Sequence, residues 1–67
     1  MLNHLAYRVA DIERGAEHLE QQGCFALSPP NPAVAFDGAL IQFFYSPMHF
    51  LIELIEQETS NHAYTWP

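Results

Sequence analysis

Alternation of apolar and polar positions is the first signal in this chain. In "LNHLAYRV", residues 2–9, Leu5, Tyr7 and Val9 share one parity while His4, Ala6 and Arg8 share the other, which predicts a strand. The period then changes. Ile12, Ala16 and Leu19 recur at helical spacing, Asp11 stands at the N-cap and Glu13 favours the positive end of the helix dipole. Gly23 supplies the stop, so a helix is expected near residues 11–22. Its outer face carries Glu13, Arg14, Glu17 and Glu20 and reads as solvated, with His18 also at the surface. Gly15 inside it costs up to ~1 kcal/mol against alanine, which suggests close packing there.

"CFALS" predicts a short second strand ended by "PPNP", whose three prolines oppose regular pairing. "AVAF" and "ALIQFFY" flank Asp37-Gly38, a dipeptide suited to a tight hairpin turn with positive φ. "SPMH" makes the next turn and "FLIELIE" the last strand. The expected class is α+β: one β-α-β-β-β module over residues 1–56, its second strand open to a break, followed by a polar tail over 57–67. The helix covers one face of a four-stranded, mostly antiparallel sheet.

Composition sharpens this picture. A chain of 67 residues forms one small domain with a marginal core, since such a domain buries only ~60% of the surface its unfolded chain exposes. Cys24 is the single cysteine, so an intrachain disulfide is excluded and a metal or a partner chain remains as the staple. Residues are 49% hydrophobic and 15% charged, which favours a homodimer that covers apolar sheet surface. Net charge is −6 with Arg8 and Arg14 the only strong cations, so nucleic acid is not an expected partner. No apolar run has the ~18 residues of a membrane span, and no basic-then-apolar leader is evident, so the expected location is cytoplasmic.

Glu53 is the anomaly. Leu51, Ile52, Leu54 and Ile55 surround it, and an ionised carboxylate buried there costs several kcal/mol unless paired. Parity sets Glu53 with Leu51 and Ile55, and it allows His4 to project from the same side of the sheet. One imidazole and one carboxylate are half of a four-ligand site for a divalent cation. The plainer reading of His4 is a hydrogen-bonded strand histidine, and that of Glu53 is a wet position on an edge strand. Glu56, at the strand end, reads as solvated; His49 in its turn and His62 in the tail read as bystanders. Phe43, Phe44 and Tyr45 read as core and interface, with one able to line a pocket, and Cys24 reads as packing.

"HLAYRVADIE", then a helix, "SPPNPAVAFDG", "IQFFYSP" and "LIELIE" together resemble one βαβββ module of the vicinal oxygen chelate superfamily, the glyoxalase and bleomycin-resistance fold. The strings are most similar to the second module of methylmalonyl-CoA epimerase-like proteins, and the likeness covers residues 2–56. The resemblance implies that His4 and Glu53 bind a divalent metal, with Zn, Co, Ni or Mn the ions suited to a shell of imidazole and carboxylate. It implies isomerase or lyase chemistry on a small carbonyl or thioester substrate, with Glu53 also in a catalytic role; Arg8, on the His4 face, is then the candidate for an anionic group of the substrate and Phe44 for its pocket. Members carry two modules per chain, and this chain carries one. A symmetric homodimer would complete the eight-stranded cavity and supply the missing ligands. The alternative within the same superfamily is a non-catalytic module that sequesters a small molecule such as a drug, or a dimeric half-module without activity.

Overall fold

A computed structural model of the chain describes residues 3–34 and 37–57. Strand β1 (Asn3–Val9) leads into helix α1 (Ile12–Gln21), followed by β2 (Phe25–Ala26), β3 (Asn31–Ala33), β4 (Ala39–Tyr45) and β5 (Phe50–Glu56). The sheet order is β1-β5-β4-β2, with β3 also on β4. Only β1 and β5 run parallel; every other pair is antiparallel. The expected α+β module with a broken second strand is therefore present, β2 and β3 forming two short pieces along one edge of β4.

Local chemistry explains the boundaries. Asp11 is extended and its Oδ1 accepts from the amides of Glu13 and Arg14, satisfying two donors that the first helical turn cannot pair. Gly23 follows the last turn at φ 88°, the left-handed value that favours glycine. Asp37 and Gly38 both have positive φ, 54° and 82°, which suits the reversal into β4.

The prolines behave differently from the expectation. Asn31, Pro32 and Ala33 pair with Ile41, Leu40 and Ala39, so the "PPNP" stretch does take part in the ladder. The reason is position. On an outer strand a proline needs no amide hydrogen where its nitrogen faces away from the sheet. Of the "AVAF" strand expectation, residues 35 and 36 lie outside the described residues, as does the tail from residue 58 with His62, Tyr64 and Trp66.

Helix α1 lies on one face of the sheet. Ile12, Gly15 and Leu19 are its buried residues, and they join Val9, Cys24, Phe44, Ile52 and Leu54 in the core. Gly15 is there for the predicted reason: a Cβ at that position would lie 3.0 Å from Leu54 Cδ1. Tyr7, Ala16, Leu40 and Phe50 close the margin of this cluster. Among the described residues the opposite face carries no helix, and it carries His4 and Glu53.

Candidate functional site: a histidine–carboxylate pair on the open sheet face

Strand register assembles the open face row by row. Ala6 and Phe43 are the two neighbours of Glu53 across the sheet, and His4 and Tyr45 are the two neighbours of Leu51. Arg8 and Ile41 flank Ile55 in the third row. Since paired residues point to the same side, His4, Arg8 and Glu53 share one face with Phe43 and Tyr45.

His4 and Glu53 meet. The imidazole Nε2 lies 3.1 Å from Glu53 Oε1, with the His4 side chain 49% exposed and that of Glu53 only 11%. A buried carboxylate in the middle of β5 thus has a partner 49 residues away in sequence, delivered by the parallel β1–β5 pairing. Ala6 makes the contact possible. Its methyl leaves room beside Glu53 for the longer His4 side chain to lean inward from the next row.

The donor set suits a hard or borderline divalent ion. Two ligand atoms each ~2.1 Å from one ion, set at tetrahedral to octahedral angles, stand roughly 3.0–3.4 Å apart. The observed 3.1 Å falls within that span. Imidazole nitrogen and carboxylate oxygen are both ligands for Zn, Co, Ni and Mn. Among the described residues no third histidine, cysteine or acidic side chain joins them. Two such donors amount to half of a four-ligand shell.

Arg8 lies at the far end of the same face, exposed, its Nε donating to Gln57 Oε1 at 2.8 Å. Phe44 does not join these residues. It is fully buried in the core on the helix side, and the residue that faces His4 is its neighbour Phe43, with ring centroids 6.2 Å apart. The adjacent phenylalanines alternate across the sheet, so one builds the core and the other the open face.

Three other residues have more definite surroundings than their sequence context suggests. Glu56, read as solvated, accepts from the Ile12 amide at 2.9 Å and so supplements the helix cap. The detectable signal is register: β5 ends beside Val9, just before the helix begins. His49, read as a bystander, has φ 66° and its Nδ1 lies 2.7 Å from the Tyr45 hydroxyl, which ties the β4–β5 turn shut. Cys24 is buried as expected for packing; burial pushes its thiol pKa up, and a hydrogen bond with Ser46 partly opposes that shift. A buried, protonated thiol is a poor nucleophile.

No described helix is long and apolar enough to cross a membrane. Compared with known proteins, the chain matches no protein-family model and no curated protein.

Proposed function

We propose that two copies of this chain form a vicinal-oxygen-chelate-type site, in which His4 and Glu53 of each copy hold one divalent ion on the two-fold axis. The observation that carries this reading is the 3.1 Å approach of His4 Nε2 to Glu53 Oε1 on the uncovered sheet face. Supporting it is the position of the pair relative to the sheet margin: His4 lies on β1, the terminal strand of the sheet order. A neighbour joined along that margin brings a second His4 and Glu53 close to the first.

The activity that follows is proton transfer next to a carbonyl, of the isomerase or lyase kind, on a small carbonyl or thioester substrate. A divalent ion there supplies the polarisation of the carbonyl oxygen and lowers the cost of negative charge as the neighbouring proton leaves. Glu53 takes that proton from carbon and returns it, and its burial keeps water from competing for the carboxylate. His4 holds its nitrogen toward the ion and orients Glu53 through their contact. Arg8, four residues beyond His4 on the same face, meets an anionic part of the substrate. Phe43 and Tyr45 supply an apolar wall.

A second reading draws on a different observation. Phe25 is 69% exposed and is the cross-strand partner of Tyr45, so the same face continues outward as aromatic surface. A non-catalytic module that binds an apolar small molecule would use that surface and need no ion.

Titrating zinc or cobalt into chelator-stripped protein while following thermal unfolding separates the two readings. Wild type gains stability as the ion is added, by an amount that grows with ion concentration, and Glu53→Gln and His4→Ala do not. His49→Ala responds as wild type. A wild type indifferent to both ions would remove the metalloenzyme reading and leave the binding module.

A further inference from the structure

We infer that Phe43 is the positioning residue of the His4–Glu53 pair, holding the imidazole over the carboxylate. Its value to metal binding rests on the reading above; its effect on His4 does not.

The argument is geometric. Phe43 is on β4 in the row of Glu53 and His4 is on β1 in the row of Leu51, with β5 between them, so the two Cα atoms are separated by two inter-strand spacings of ~4.8 Å each and by a further two-residue step along the strands. Rings that stood straight up from the sheet would keep that separation. The centroids instead lie 6.2 Å apart at an interplanar angle of 47°, so the rings lean toward each other across β5. The residue beneath Phe43 in the ladder is Glu53. Phe43 therefore flanks the carboxylate on one side, and its ring reaches the imidazole that contacts the carboxylate from the other. A tilted ring pair at this distance is an attractive arrangement.

Something must do this work. Half of the His4 side chain is open to water, and a single hydrogen bond to one carboxylate oxygen leaves both torsions of a half-exposed histidine free to move. Ala6, the other neighbour of Glu53, has only a methyl and leaves His4 unconfined from that direction. Phe43 is half-buried and anchored in the central strand β4. It is the rigid wall against which His4 rests. Substituting residues that orient a ligand typically weakens metal affinity by roughly 10–100-fold without touching the ion.

The test uses Phe43→Leu, which keeps an apolar side chain of similar reach, and Phe43→Tyr, which keeps the ring. In metal-free protein, nuclear Overhauser contacts between the His4 ring protons and the Glu53 side chain report their mutual position. They are present in wild type and Phe43→Tyr and lost in Phe43→Leu, while amide signals of the helix stay in place. Zinc affinity of Phe43→Leu falls roughly tenfold and Phe43→Tyr restores it. Persistence of the His4–Glu53 contacts in Phe43→Leu overturns the inference. Should wild type bind no zinc, the metal reading falls, and the metal-free contacts still decide the role of Phe43.

Discussion

Glu53 lies between Ile52 and Leu54, both buried, and is itself the one acidic side chain in the described buried set. Removing its partner leaves that carboxylate desolvated and unpaired. His4→Ala should therefore cost about 1–3 kcal/mol in the metal-free protein, read as a lowered urea midpoint. Glu53→Gln, which removes the buried charge and keeps His4 in place, should cost less. Equal losses in the two variants would mean that the carboxylate reaches water by another route. Cys24 gives a pH dependence of opposite origin. Burial raises its pKa above the ordinary value of 9.0, so as pH climbs past that value the unfolded chain sheds the thiol proton while the folded chain keeps it. Stability then falls with rising pH until the folded thiol ionises as well, and well below pH 9.0 the slope from this group fades because both states keep the proton. Comparing urea midpoints at pH 7 and pH 10 should show a smaller alkaline loss for Cys24→Ala than for wild type. The same loss in both would assign the slope to other groups.

At the scale of elements, α1 and β5 approach as closely as they do because residue 15 is glycine. Alanine there gains up to ~1 kcal/mol of helix propensity, and it also sets a methyl 3.0 Å from Leu54 Cδ1 and within 3.7 Å of both Val9 methyls. Leu54 has no exposed surface, so its methyl has little room to yield. Overpacking of this kind costs ~1–3 kcal/mol, which outweighs the propensity gain, and Gly15→Ala should be net destabilising by about 1 kcal/mol. Leu54→Val should relieve part of it in a double-mutant cycle; a stabilising Gly15→Ala would refute the close approach. The helix was legible because Asp11 and Gly23 are local signals, and the hairpin turn because Asp37-Gly38 is another. Parity also sufficed for β1, where His4 and Arg8 mark one face. It failed for β4. "ALIQFFY" is apolar at both parities, and its one polar residue, Gln42, is buried on the helix side, donating from Nε2 to the Ser28 carbonyl at 2.8 Å. A polar residue facing the core removes the cue that would separate Phe43 from Phe44. Glu56 escaped because its partner, the Ile12 amide, is 44 residues away and becomes a neighbour only through parallel pairing.

At the scale of the molecule, the two margins of the sheet are unequal. One is built from β2 and β3, two and three residues long and interrupted by Pro29 and Pro30, with Pro32 inside β3: short, proline-rich and unsuited to pairing. The other is β1, seven residues without proline or glycine, paired among the described residues only with β5. Val9 accepts from the Gln57 amide, so the backbone groups of Val9 point toward β5. Alternation then aims those of Tyr7 and Leu5 the same way and those of Arg8, Ala6 and His4 outward. A long margin whose donors and acceptors have no strand partner among the described residues invites a second strand, and an antiparallel β1–β1 junction would place the two open faces, with their His4–Glu53 pairs, side by side. Sedimentation at micromolar concentration should accordingly give twice the 7.6 kDa chain mass. The discriminating variant is Ala6→Pro. It deletes an outward amide and leaves the bonds to β5 intact, so the chain should keep its helix and core, seen in circular dichroism, yet sediment as a monomer. Under the proposed shared site, the same change should also weaken zinc binding. A folded Ala6→Pro variant that remains dimeric would move the junction away from β1, and a monomeric wild type would end the shared site altogether.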